Sequence, residues 1–72
     1  MEPIEIARLQ KYFRQKFGMP SVSVRRRPNK ADSAEVYIGD EFLGVIFRDD
    51  EDGEVSYDFN MAILEMDLPE RD

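Results

Sequence analysis

Apolar positions recur along this chain first at a helical spacing and then at a strand spacing, and the change falls near residue 20. Ile6, Leu9, Phe13 and Phe17 lie within roughly 80° of one another at about 100° per residue. Tyr12 widens that stripe, while Arg8, Lys11 and Arg14 fall on the opposite arc. Pro3 suits a first helical turn, where its missing N–H has no intrahelical partner to lose. Gly18-Met19-Pro20 is a stop signal, because Gly accepts a left-handed conformation after the last turn and Pro cannot extend the helix. The spacing predicts an amphipathic helix over 3–17 with a basic back.

From Ser21 onward the period is two, which predicts strands at about 21–27, 34–38, 41–48 and 54–63. Pro28-Asn29-Lys30 ends the first, Gly39-Asp40 presents Gly first in a two-residue loop as a type II′ hairpin turn prefers, and Asp49 to Gly53 forms a second turn signal. A tight loop at Gly39-Asp40 places Ile38 opposite Glu41, Val36 opposite Leu43 and Ala34 opposite Val45. Pairing Arg48 with Glu54 across the next loop brings Val45 opposite Tyr57 and Leu43 opposite Phe59. One face then collects Ala34, Val36, Ile38, Leu43, Val45, Phe47, Val55, Tyr57, Phe59 and Met61, interrupted only by Glu41, and the helix stripe covers it. Beyond Met61 the parity of Ala62, Leu64, Met66 and Leu68 opposes that of Ile63, so a continuing strand needs a bulge near Ala62 or Ile63. A closing helical turn gathering Met61, Leu64 and Leu68 is the alternative, and residues 69–72 read as a frayed tail. The expected fold is α+β: an N-terminal helix packed on one face of a four-stranded antiparallel β-meander, a single domain over 1–72.

The stretch from Asp32 to Phe47, with Asp50-Glu51-Asp52-Gly53 and Phe59-Asn60-Met61-Ala62-Ile63-Leu64 after it, resembles a family of short bacterial proteins, domain-of-unknown-function family 3126. The resemblance spans nearly the whole chain and implies a bacterial cytoplasmic protein. The family carries no assigned activity, so no residue role follows from it.

At 72 residues the chain can bury only a small core, with roughly 40% of its unfolded-state surface still exposed after folding. Help from a partner subunit fits such a chain. The sequence contains neither Cys nor His, which excludes disulfides, thiol nucleophiles and zinc sites built on those ligands, and removes the side chain best suited to proton transfer near neutral pH. A carboxylate, Lys or Tyr would need a deep pocket to replace it, and a chain this small seldom walls one off. The expectation is a protein that is not an enzyme, with no catalytic residue, cofactor or metal. The acidic run Asp49 to Glu54 invites a calcium reading, but aligning Gly53 with the loop glycine of an EF-hand puts Arg48 at the first carboxylate and Phe59 at the closing glutamate. The amino terminus shows no secretory signal, and the dense apolar stretch Phe42 to Phe47 is too short to cross a bilayer, so the expected location is the cytoplasm, away from membranes.

Two surfaces remain as candidates. The expected register points Tyr37, Phe42 and Ile46 away from the helix, an apolar cluster suited to an unknown partner protein or a second copy of the chain. The alternative lies in the charge pattern, because the net charge of −6 conceals two opposite halves. Residues 1–30 hold eight basic groups against two acids, and residues 31–72 hold two against fourteen. Arg8, Lys11, Arg14, Arg25, Arg26, Arg27 and Lys30 therefore form a candidate site for RNA or another polyanion. The order of elements has the outline of a double-stranded-RNA-binding domain, but the basic second helix of such domains is replaced by Met61 to Leu68, which contains Glu65 and Asp67 and no cation. Nucleic acid is thus the less favoured partner.

Overall fold

The helix, α1, runs Pro3–Phe17, within the limits its sequence signals set. At its start the Glu2 N–H donates to the Glu5 carboxylate at 2.9 Å and the Ile6 N–H donates to the Glu2 carbonyl. At its end the Met19 N–H donates to the Arg14 carbonyl, closing the last turn. The computed structural model describes residues 1–71 and adds strands β1 (Val22–Arg27), β2 (Lys30–Ile38), β3 (Glu41–Asp49) and β4 (Ser56–Asn60), then a single 3-10 turn at Glu65–Asp67. The strands form one antiparallel sheet in the order β1-β2-β3-β4, with α1 against it, so the α+β meander is the fold. Short reversals make sequence neighbours into sheet neighbours.

The Gly39-Asp40 loop pairs Ile38 with Glu41 as predicted, and Gly39 has φ 57, the positive value a type II′ turn requires at its first position. The predicted pairing fails one step later. Tyr37 sits opposite Phe42 but Val36 sits opposite Gly44, leaving Leu43 as the extra residue of a β-bulge. From there every β3 side chain changes sides: Glu35 faces Val45, Ala34 faces Ile46 and Ser33 faces Phe47. Ile46, expected on the outer face, is fully buried under the helix, whereas Val45 and Phe47, expected beneath it, lie outside with Phe47 44% exposed.

Gly44 explains why the bulge lies here. A Cβ at this position would come 2.2 Å from the Asn60 carbonyl oxygen and 3.0 Å from the Phe59 ring, so β4 approaches closer than any side chain permits. The β3–β4 register moves accordingly. Arg48 pairs with Tyr57 and Ile46 with Phe59, joined by a loop over 50–55 rather than by the tighter reversal expected. The shift is odd, and so is the flip imposed by the bulge, so Tyr57 and Phe59 still face α1. Val55 falls in that loop and is exposed.

Two strand limits also differ from expectation. β2 begins at Lys30 because Pro28-Asn29 is itself a two-residue turn, with Asn29 at φ 63; the ladder slips between Arg26 and Arg27 before Arg26 reaches Ala34. β4 ends at Asn60 rather than 63, since the next positions on β3 are the bulged pair Leu43 and Gly44, where the ladder is broken. The rival helical turn forms only as the short 3-10 segment. Of the tail expected to fray, 69–71 has no regular structure and is exposed, while Asp72 lies outside the described residues.

The core consists of Phe13, Val22, Val24, Ala34, Val36 and Ile46, with Ile6, Leu9, Ile38, Leu43 and Phe59 packed on it. Phe13 is the helix's main contribution, meeting Phe59 edge-to-face at 5.4 Å between ring centroids. Polar links dock α1 along the β1 edge: Arg14 Nε donates to the Val22 carbonyl at 2.8 Å, and the Val24 N–H donates to Gln10 Oε1 at 3.1 Å. These side chains satisfy backbone groups that an edge strand leaves open.

The reversed β3 parity has a direct consequence in denaturation. Ile46→Ala empties a buried site and should lower unfolding free energy by about 2–5 kcal/mol in urea titration, while Phe47→Ala should lose less than about 1 kcal/mol. The opposite ranking would refute the bulge. Gly44→Ala should destabilise by about 2–3 kcal/mol, because its methyl group meets main chain that cannot step aside.

Candidate functional site

The outer face of the sheet carries a connected row of side chains. Arg27 donates to Ser33 Oγ at 3.2 Å and lies 3.8 Å from Glu35; Glu35 accepts from the Tyr37 hydroxyl at 2.8 Å. Arg25 covers the Tyr37 ring with its guanidinium carbon 3.9 Å from the centroid, and also donates to Ser23 Oγ and the Gly39 carbonyl. The hydrogen bond to Glu35 is the main cause that pushes the Tyr37 hydroxyl's pKa up. Tyr37 then meets Phe42 edge-to-face at 5.6 Å. Phe42 is 51% exposed, and because of the bulge Val45 and Phe47 continue the apolar surface.

Beside Phe42, Val45 and Phe47 runs a groove of about 690 Å³, closed on its far side by Met61, Ala62 and Leu64 of the chain leaving β4. Of the three residues singled out from the sequence, Tyr37 and Phe42 stand on this face and touch. Ile46 does not, since the bulge buries it. Phe47 takes the place foreseen for Ile46. Its position was hidden by a smooth alternation through β3. The sequence does mark the place, since Gly44 inside a strand pattern reads as a bulge or close packing, and the structure shows both there, but the parity change this implies for Ile46 and Phe47 does not follow from the alternation.

The seven cations of the alternative reading do not form one surface. Strand alternation sends Arg25 and Arg27 to the outer face, where both serve the row above, and Arg26 to the helix side. Arg14 is used by the β1 backbone. Arg8, Lys11, Arg26 and Lys30 make no ion pair among the described residues; Arg26 and Lys30 meet Arg27 around a pocket of about 380 Å³ at the β1–β2 turn, while Arg8 and Lys11 stand apart on α1.

A second groove, about 370 Å³, opens on the helix side between α1 and the β3–β4 half of the sheet. Leu9, Tyr12, Phe13, Ile46 and Phe59 make its apolar lining, with Arg8, Glu5 and Tyr57 also bordering it. Sequence reasoning missed the polar cluster at one end. The Tyr57 hydroxyl, 52 residues along the chain, donates to Glu5 Oε2 at 2.6 Å, and Arg48 Nε lies 3.0 Å from the same oxygen. Arg48 Nε is shut off from water without a well-aligned hydrogen bond, so its attraction to Glu5 is chiefly ionic; its Nη1 reaches Asp50 at 3.3 Å. No spacing rule joins positions so far apart, and the pairing exists only because the bulge turns Arg48 inward.

The Tyr57 hydroxyl, then the Glu2 N–H, hold the Glu5 carboxyl below its ordinary range, with the Arg48 charge assisting against partial burial. In return Glu5 pushes the Tyr57 pKa up. The acidic β3–β4 loop is occupied with its own geometry, as Asp49 accepts from the Glu51 N–H at 3.0 Å. Among the described residues no three His, Cys, Asp or Glu side chains gather as ligands for a metal ion.

A family model described as "Protein of unknown function (DUF3126)" matches residues 5–67, which include α1 from Glu5 onward, the whole sheet and the 3-10 turn. No curated protein and no solved structure matches the chain at a significant level. No helix among the described residues is long and apolar enough to cross a membrane.

The Glu5 cluster sets an acid limit on stability. Its pKa is lowered in the folded state, so its contribution is present above the ordinary value of 4.5 and disappears as pH falls from there through the lower folded value. Thermal melts should show Glu5→Gln unfolding several degrees below wild type at pH 7. The gap should close as the pH is taken well below 4.5, where wild type has lost the same carboxylate.

Proposed function

We propose, given that the chain belongs to the DUF3126 family of proteins of unknown function, that it is a small non-catalytic module that binds another protein through the outer face of its sheet. The observation that carries this reading is the pair of half-exposed rings, Phe42 and Phe47, set on one face beside an open apolar groove. Two aromatic anchors on a rigid sheet offer large contact area with little side-chain entropy to lose. Tyr37 is the supporting member, already held by Arg25, Glu35 and Phe42.

The partner's chemistry follows from the surroundings. Asp58 and Asn60 share the outer face by strand pairing with Phe47 and Val45, and Asp67 lies at the groove wall. With a net charge of −6 besides, the matching surface is an apolar side chain flanked by Lys or Arg. A cytoplasmic, bacterial setting accords with the family resemblance, and binding without chemistry accords with the Glu5 carboxyl in the helix-side groove. Its pKa moves down, the wrong direction for a proton donor at neutral pH. Polyanion binding has less support, because the cations it needs are divided between surfaces or engaged inside the fold.

Affinity capture from lysate with wild type and with Phe42→Ser/Phe47→Ser provides the test. Proteins retained by wild type should be lost from the double variant, whose circular dichroism should be unchanged. Identical capture by both would remove the outer face from consideration. Steep loss of a captured nucleic acid with rising salt would favour the polyanion reading instead.

A further inference from the structure

We propose that the segment 61–68 of one copy seats in the helix-side groove of a second copy, producing a reciprocally exchanged dimer. The proposal does not depend on the outer-face reading: the surface that receives the segment is the helix-side groove, although the segment itself also borders the outer groove through Met61, Ala62, Leu64 and Asp67. It starts from a surplus of surface. The accessible area is 5946 Å², against about 4,600 Å² for a folded monomer of 8.4 kDa. The excess of about 1,300 Å² is larger than the roughly 800 Å² each partner contributes to a standard interface. The radius of gyration, 13.6 Å, likewise exceeds the roughly 11 Å expected for a compact chain of this length.

Much of the apolar part of that surplus lies in one segment. Every residue from Met61 to Arg71 is exposed, and Ile63, Met66 and Leu68 are 66%, 83% and 57% exposed. Three large apolar side chains this bare on one short stretch call for cover. The helix-side groove has the complementary defect. Because α1 leans toward β1, the β4 side of the inner face is only partly covered, leaving an opening of about 370 Å³ that is floored by the buried Phe13 and Ile46 and walled by the accessible Leu9, Tyr12, Tyr57 and Phe59.

The segment does not fill this opening in its own chain. Met61 and Leu64 line the other groove, on the opposite side of the sheet with Phe42 and Phe47, and the Leu64 N–H donates to Asp67 across the 3-10 turn. A second copy is therefore the occupant that can reach the helix side. Charge agrees with that pairing: Glu65 and Asp67 bracket Met66, and Arg8 borders the groove without an ion pair among the described residues. When each copy gives one segment and receives one, the assembly closes as a two-fold dimer, with no open end to grow a filament.

Sedimentation equilibrium on the full chain over a wide concentration range should give twice the 8.4 kDa chain mass. Met66→Asp, at a position too exposed to matter to the monomer fold, should weaken dimerisation at least about 100-fold by placing a carboxylate in the apolar groove. Phe42→Ser/Phe47→Ser should leave the dimer intact. The chain has no cysteine, so a Tyr12→Cys copy mixed with a Met66→Cys copy should yield a disulfide-linked heterodimer on mild oxidation. A monomer at every concentration overturns the proposal. So does a dimer indifferent to Met66→Asp, or one abolished by the outer-face variant. In a chain carrying both cysteines, closure within single molecules rather than between them also overturns it, by placing the segment in its own groove.

Discussion

Gly44 and the Asn60 carbonyl approach so closely that β3 and β4 can lie side by side only if position 44 has no side chain. The extra residue, Leu43, lets the strand satisfy that constraint without giving up its pairing with β2. The rest of the arrangement follows from it. Past the bulge Ile46 enters the core, Phe47 leaves it, and Arg48 turns toward the helix, so the content of both faces is settled at a single point in the sheet.

The helix is then held at two places of different character. Along β1 it is tied by Phe13 packing and by Gln10 and Arg14, which complete the edge backbone's hydrogen bonds. Near β4 it is tied by Glu5, which gathers Tyr57 and Arg48. The groove lies between these attachments, because a single helix about 10–12 Å across cannot span four strands at about 4.8 Å spacing. An α+β domain with one helix leaves part of its inner face short of cover, and this chain has an unburied apolar segment following its last strand.

Charge is divided by the same geometry. A run of three arginines looks like one basic site when written linearly, yet on a strand its members point alternately to opposite faces. Arg25 and Arg27 brace Tyr37 and Glu35 on one side, leaving Arg26 on the other. The outer face consequently combines aromatic rings with internally satisfied cations, which supports an apolar contact surface more than a phosphate-binding one.

Local chemistry was enough to read several features from the residues. The helix limits follow from Pro3 and Gly18, the first tight hairpin from Gly39-Asp40, and the four-strand order from short reversals between alternating stretches. Each depends on interactions within a few positions, so the spacing alone carries the information. The contents of the faces beyond Phe42 could not be read this way. They depend on β4 pressing against Gly44, a contact between main chains 16 positions apart that leaves no trace in the alternation of β3. Half of the candidate site was therefore legible: Tyr37 and Phe42 precede the bulge and keep their expected side, whereas Ile46 and Phe47 follow it and exchange places. The Glu5 cluster belongs to the same category, since hydrophobic period specifies which side chains are buried but not which distant charges meet once the strands have chosen their register.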